Sequence, residues 1–493
     1  MKCDICNKSI TVKECKDNNW ICNKCNKTKV SELEEEKVIK HFKKRMKSTI
    51  EIKKEGRWGV FQEEIPKKLE SALNNRLAYE KEGWEHAVRK NRMSKAWAFV
   101  RFYQKKKRRF PWGLKNRVVA ILEQWTEQYN DSFTITESDF LNIKALKPFD
   151  KKLRPYQIDA ITKLTLYNGG ILSAPCGSGK TFIMLNFLEH INYKKALIIV
   201  PTLFLKIQWQ EQTKDIDTID IMNYQSLKDL KILKEYDVLI VDECHLTPCN
   251  SIYKIAMNFG EGFLCGCSAT PYRNYKPSTL KLIAALGEIV YDISLKELIK
   301  QEYLCNAKVE IIELSNDSKI DFFDTYVDIY QKGIVENEER NERIVQKAKQ
   351  ESNNGLVFIT VEKLQHGEIL YEKLKDYNAI FVHGKTKDRR QVYDDVQNGK
   401  WKIVITTRVF DLGVNFPNLR CLIIGNGGKS AVRIGQQVGR VLRIHPNKKE
   451  ALIIDFADNV KYLRIHFKRR YEIYKESFEV KYTNDSNTNL ADY

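Results

Sequence analysis

Several short apolar runs recur along the chain between stretches of helical periodicity. They include Gly170-Ile171-Leu172-Ser173, Ala196 to Val200, Val238 to Val241 and Gly262 to Cys267, then Leu356 to Thr360, Ala379 to Gly384 and Trp401 to Thr407. Runs of four to six apolar residues without alternation fit strands covered on both faces, as in parallel sheets. Helical patterns alternate with them, such as Phe182 to Leu188, so the pattern predicts an α/β architecture. A first series of such runs is followed by a second β/α series from about Leu356 onward. Upstream the pattern changes. A charged helical stretch is expected from Ser31 to about Lys54, then helical pieces at Pro66 to Glu82 and Leu114 to Tyr129, the latter with Val118, Ile121, Leu122 and Trp125 on one face.

Composition adds a partner class. The 493 residues include 43% hydrophobic and 30% charged side chains, and the formal charge is +19. Such an excess of cations favours a polyanionic partner such as nucleic acid, with an anionic membrane surface as the competing reading of net charge alone. No apolar run reaches the length of a membrane span, and Met1-Lys2-Cys3-Asp4 opens no signal-peptide core. The expectation is a non-secreted protein without a membrane partner. It would work in the cytoplasm, at the nucleoid of a cell or virus-infected host, or in a eukaryotic nucleus.

The turn Ala174-Pro175-Cys176-Gly177-Ser178-Gly179-Lys180-Thr181 lies between an apolar run and a helical pattern. In that setting backbone N–H groups and a helix N-terminus surround phosphates, Lys180 reaches the β- and γ-phosphates, and the Thr181 hydroxyl holds Mg²⁺. Val238 to Val241 ends in Asp242-Glu243-Cys244-His245. A buried strand delivering two acids supplies a Mg²⁺ carboxylate, Asp242, and a group that orients and deprotonates water, Glu243. Arg440 and Arg443 lie three apart on one helical face and can present two guanidinium groups to a transferring phosphoryl group.

Other chemistry lies upstream. Cys3, Cys6, Cys22 and Cys25 form two C-x-x-C knuckles fifteen residues apart, a spacing that closes a structural Zn²⁺ site. Lys105-Lys106-Lys107-Arg108-Arg109 is read as phosphate contact, with a nuclear-import signal as another reading of such a run. The aromatics around it, among them Trp84, Phe99, Phe102, Tyr103, Phe110 and Trp112, suit either a core or base stacking.

In order, Arg154-Pro155-Tyr156-Gln157, the Lys180 loop, Pro201-Thr202, Asn223 to Leu227, Asp242 to His245, Ser268-Ala269-Thr270, Asp411 to Asn415 and Gln436 to Arg443 resemble the motifs of a DExH-type superfamily 2 helicase. The ending around Asp455 to Phe467 is similar to the Rad25/UvsW-like, ResIII-like branch. The resemblance implies two RecA-like domains, preceded by a small four-cysteine zinc ribbon and a mostly helical basic region. The implied boundaries are 1–30 for the ribbon, 31–150 for the basic region, 151–293 and 294–475 for the motors and 476–493 for a polar tail. ATP and Mg²⁺ are the implied cofactors, with Zn²⁺ structural. The resemblance implies nucleotide contacts from Arg154, Gln157 at the adenine edge, Pro175 to Thr181, Asp411, Gly413 and Gln436. It implies strand contacts from Pro201, Thr202, Gln225, Ser268, Thr270 and Thr406.

The implied activity is an ATP-dependent DNA helicase or translocase acting on forks, branched junctions or duplexes, with replication, recombination or transcription proteins as further partners. DNA is favoured over RNA. An RNA helicase, a restriction-type motor subunit, and a non-enzymatic zinc and nucleic-acid-binding protein are the alternatives.

Overall fold

The computed structural model describes residues 49–81, 84–85, 98–137, 146–150, 152–272, 278–314, 325–407, 416–428, 431–446, 448–458 and 460–483. The four cysteines of the expected zinc ribbon, and Asp411 and Gly413, lie outside the described residues.

Two large sheets carry the fold. The first holds β7 (Gly169–Ser173), β8 (Ala196–Val200), β9 (Ile219–Asn223), β10 (Val238–Asp242), β11 (Phe263–Ser268) and β12 (Ile289–Asp292) in the order β12-β7-β11-β10-β8-β9. Every neighbouring pair is parallel. The residues of β8, β10 and β11 are buried throughout, which is why these strands read as unbroken apolar runs. The second sheet holds β13 (Asn306–Glu313), β14 (Leu356–Thr360), β15 (Ala379–Val382), β16 (Ile403–Thr406), β17 (Leu419–Ile424), β18 (Glu450–Ala457) and β19 (Glu479–Thr483). Its order is β15-β16-β14-β17-β18-β13-β19, again all parallel. Helices connect the strands, as parallel neighbours require. Among the described residues no helix is long and apolar enough to cross a membrane.

Three expectations need correction. Residues 49–54 are not helical: β1 (Thr49–Glu55) is a strand whose Ile50, Ile52 and Lys54 alternate into the core. With β2 (Trp58–Phe61), β5 (Arg109–Pro111) and β6 (Ser132–Thr136) it forms a four-stranded sheet, ordered β5-β2-β1-β6. The short strands β3 (Ala78–Glu80) and β4 (Phe99–Arg101) pair beside it. The described part of the basic region is therefore mixed α and β. Charged residues at both exposed and buried strand positions hid the two-residue period. Residues 479–483, within the expected tail, form edge strand β19 on β13. Their alternation is only between half-buried and exposed, too weak to stand out in a polar segment.

The N-terminal sheet shares its core with the first motor. Phe102, Tyr103, Phe110, Leu114 and Val118 pack with Leu280, Ile283 and Ala284 of the helix Thr279–Leu286. Three of the aromatics that suited either core or stacking are thus core residues. Arg57 crosses the junction: its Nη2 donates to the Gly262 carbonyl at 2.7 Å and its guanidinium lies over the Phe259 ring. Burial pulls its pKa down to about 10. Gly113 approaches so closely that a Cβ there would meet the Ile283 carbonyl oxygen at 1.9 Å. A junction this tight holds the N-terminal sheet to the motor as one packed body.

Candidate active site

Strand β7 delivers Ala174 to Gly179 to the N-terminus of the helix Lys180–Ile191. Gly177 and Gly179 have φ of +87° and +80°, a conformation that glycine adopts without the Cβ clash of other residues. The Lys180 ammonium donates to the Ala174 and Pro175 carbonyls at 3.1 and 3.2 Å, so it sits in the bowl of the loop. The Ser178 hydroxyl is buried there with no hydrogen-bond partner among the described residues. Burial opposes the Lys180 charge, but the negative field that includes Glu243 and Asp242 outweighs it and raises the pKa above the ordinary lysine value.

Gln157 is buried beside the loop. Its Oε1 accepts from the Arg154 N–H at 2.9 Å at the start of the helix Pro155–Leu166, the half of a capping box that the third helical residue supplies. The neighbouring Tyr156 hydroxyl donates to the Ser178 carbonyl at 2.5 Å. The Arg154 guanidinium lies over the Tyr303 ring, 4.4 Å from its centre. This element therefore braces the phosphate loop directly.

Strand β10 ends at Asp242, next to Lys180 in the field of charges. Asp242 Oδ1 accepts from the Glu243 N–H at 2.8 Å and from the Cys267 thiol at 3.3 Å. Its Oδ2 accepts from the Trp209 indole N–H at 2.9 Å. Trp209 is the functional neighbour that sequence reasoning missed. It lies on the helix Leu203–Gln212, and an apolar helical position gave no sign that its nitrogen would find a carboxylate. Glu243 adopts φ +49°, the left-handed region that costs a non-glycine residue energy and that clusters at functional sites. Its Oε2 lies 3.2 Å from His245 Nδ1, which also meets the Ser268 hydroxyl at 3.0 Å.

The two acids separate electrostatically. Burial, then the Glu243 charge, pushes the Asp242 pKa up, against the indole N–H and Lys180. Burial also disfavours a charged Glu243, but His245, Lys180 and Arg440 overcome it and hold Glu243 below the ordinary glutamate value. One negative charge is therefore most secure on Glu243.

The second motor reaches into this site through the helix Ala431–Val441. Gln436 Nε2 donates to Glu243 Oε2 at 3.3 Å. A Cβ on Gly439 would meet Cys176 Cβ at 2.8 Å, and one on Gly177 would meet Arg443 Cγ at 3.4 Å. The arginine helix thus packs on the phosphate loop itself. Burial, then Arg440, lowers the Arg443 pKa to about 10. An anion beside Arg443 would offset its burial and its repulsion from Arg440.

Comparison with known proteins shows what the chain resembles. The profile described as "Helicase conserved C-terminal domain" matches residues 338–445, and "Type III restriction enzyme, res subunit" matches residues 150–220. The chain is 27% identical over 409 residues to "Putative helicase 22" of a Sulfolobus islandicus filamentous virus, covering 69% of this chain and 72% of the viral protein. It is 25% identical to the ATP-dependent DNA helicase uvsW of phage T4, covering 74% of this chain and 82% of that protein. The DNA 3'-5' translocase XPB2 of Sulfurisphaera tokodaii is also 25% identical, over 62% of this chain and 81% of its own. These matches make the chain similar to superfamily 2 helicases of the Rad25/UvsW-like branch. A fragment of a putative HsdR subunit from Vibrio vulnificus shares the fold, with TM-score 0.54, 16% identity and 74% of each chain covered.

The helicase is an ATP-hydrolysing enzyme with two RecA-like domains, and ATP and Mg²⁺ are the cofactors of its family. Several residues expected to touch a strand sit elsewhere. Ser268 is fully buried and serves His245 and the Thr270 N–H, and Thr406 is buried with its hydroxyl on the Thr407 carbonyl. Neither can touch a strand in this conformation, because each ends a buried parallel strand. The Thr270 methyl carbon would lie 3.9 Å from a Cβ at Gly435, so Thr270 faces the arginine helix. Thr202 caps the helix Leu203–Gln212 by accepting from the Leu205 N–H, beside Pro201. Gln225 is exposed beyond β9. In the cationic run, Lys105, Lys106 and Lys107 are exposed and Lys105 pairs with Glu70. Arg109 instead stacks 3.9 Å over the Trp58 ring and donates to Gln104. These contacts leave Arg109 half-buried on the sheet.

Proposed function

We propose that this helicase couples ATP hydrolysis to movement along DNA, remodelling forks, branched junctions or duplexes. The observation that carries the reading is the Gln436–Glu243 contact, which brings a side chain of the second motor onto the acid pair of the first. Relatives named as a DNA helicase and a DNA translocase support DNA as the track.

The residues present fit a nucleoside triphosphate with Mg²⁺. Lys180 already sits in the bowl of the loop, whose Ser178 hydroxyl is buried and unpartnered among the described residues, and backbone N–H groups at such a loop suit phosphate. Mg²⁺, when bound, would supply positive charge against the phosphates. Thr181 and Asp242 would hold it, with Trp209 keeping the Asp242 carboxylate oriented. Glu243, the acid that keeps its charge, would orient water and take its proton, and His245 would fix its direction. Arg440 and Arg443 would place positive charge against the phosphoryl group only while the cleft between the motors is closed. Opening withdraws them, so each turnover would shift one motor against the other.

Matched DNA and RNA strands, compared for stimulation of ATP turnover by the purified chain, test the reading. DNA is expected to stimulate more strongly; stimulation by RNA alone would move the assignment to an RNA helicase. The cysteine knuckles supply a separate proposal, one structural Zn²⁺ held by Cys3, Cys6, Cys22 and Cys25. Metal analysis is expected to find one zinc per chain, lost in Cys3→Ser; equal zinc in that variant would exclude these ligands.

A further inference from the structure

A patch of aromatic and apolar side chains stands open on the second motor. Tyr326 is 43% exposed, Tyr462 48% and Ile465 52%, and the two tyrosine rings meet edge to face with centres 6.0 Å apart. Val327 and Leu364 are exposed as well. The patch follows from the sequence of the helix Lys461–Ser477. Leu463, His466, Phe467, Arg470 and Tyr474 face inward, which leaves Tyr462, Ile465 and Arg469 along the outer face at helical spacing, with Lys468 beside them.

Topology places the patch. The helix Lys461–Ser477 begins just after the carboxyl end of β18, and Leu364 opens the helix that follows the carboxyl end of β14. Tyr330, one turn from Tyr326, donates to the Asn426 carbonyl just beyond β17. The strands are parallel, so all three points share one edge of the sheet, the edge where open α/β folds place ligands. Thr406 ends β16 on the same edge.

We propose that Tyr326 and Tyr462 form a base-stacking platform for a single nucleic-acid strand, with Lys468 and Arg469 on its phosphates. Aromatic faces that accept any base, flanked by exposed cations, are the chemistry of sequence-tolerant strand binding. The charge of the chain, +19, suits a polyanion better than an acid-poor apolar protein surface would require. Stacking here would grip the strand through bases on the second motor, whereas loop N–H groups and lysines grip it through phosphates. The platform rests on the nucleic-acid reading above.

The test measures binding of a fluorescently labelled oligo-dT strand to the full chain over a range of salt. Tyr326→Ala with Tyr462→Ala is expected to weaken binding about tenfold or more at every salt concentration, leaving the salt slope unchanged. Phenylalanine at both positions is expected to restore it. Lys468→Ala with Arg469→Ala is expected to flatten the slope by about one to two. ATP turnover without nucleic acid is expected to stay at the wild-type level in the tyrosine variant, reporting an intact fold. Unchanged strand affinity in the double alanine variant would overturn the platform. So would loss of a self-associated form in sedimentation at unchanged strand affinity, which would assign the patch to a second copy of the chain. Failure of the unaltered chain to bind any strand would overturn the nucleic-acid reading itself.

Discussion

Lys180→Ala and Glu243→Gln are each expected to reduce ATP turnover by roughly 10²–10³-fold or more while strand affinity stays close to that of the unaltered chain. The lysine substitution removes the ammonium that now rests on the Ala174 and Pro175 carbonyls, and with it the charge aimed at the phosphates. The glutamine substitution keeps the shape of Glu243, and its amide can still meet Gln436 and His245. It removes only the negative charge and the ability to take a proton. Steady-state turnover with and without a DNA strand, beside equilibrium binding of the same strand, checks both. Turnover near the normal rate in either variant would remove that residue from the site. A parallel loss of strand binding would indicate a folding defect, which circular dichroism separates from a catalytic one.

Arg470→Ala is expected to lower the melting temperature by about 10 °C, through loss of about 3–5 kcal/mol in the second motor. Arg470 is fully buried, and its Nε and Nη2 donate to the two Asp455 oxygens at 2.7 and 3.0 Å. Its Nη1 reaches the Gly428 carbonyl, and the Tyr474 hydroxyl donates to the same aspartate at 2.9 Å. Asp458 bridges onward to Arg340, also buried. Removing one guanidinium leaves Asp455 without its main charge partner in a dry core, and that uncompensated charge sets the size of the effect. The network ties the helix Lys461–Ser477 to the carboxyl ends of β17 and β18, so the exposed face of that helix depends on it. Calorimetry is the direct measurement; a melting temperature unchanged within about 2 °C would mean that water reaches the site.

The two motor sheets were legible because their strands are buried on both faces and therefore appear as apolar runs. β8, β10 and β14 stand out for this reason. Strands with one exposed face were not. β1 reads Thr-Ile-Glu-Ile-Lys-Lys-Glu, where a lysine stem fills an inward position and breaks the alternation. β19 sits at a sheet edge with no fully buried position, so nothing in its composition separates it from a polar tail.

The site divides along similar lines. Lys180, Asp242, Glu243 and the Arg440–Arg443 pair were visible because a phosphate loop, paired acids after a strand, and two arginines on one helical face each have a local spacing that the chemistry requires. The sequence by itself determined the parts of the motor and their order along the chain. Only the tertiary structure decided which parts meet: the Trp209 N–H on Asp242, Gln436 on Glu243, and Arg57 at the junction with the first motor. It also moved Ser268 and Thr406 inward and Arg109 onto Trp58. These are contacts between residues far apart in the chain, fixed by sheet order and helix packing. No local period encodes such contacts, because each depends on the whole fold placing two distant side chains within reach.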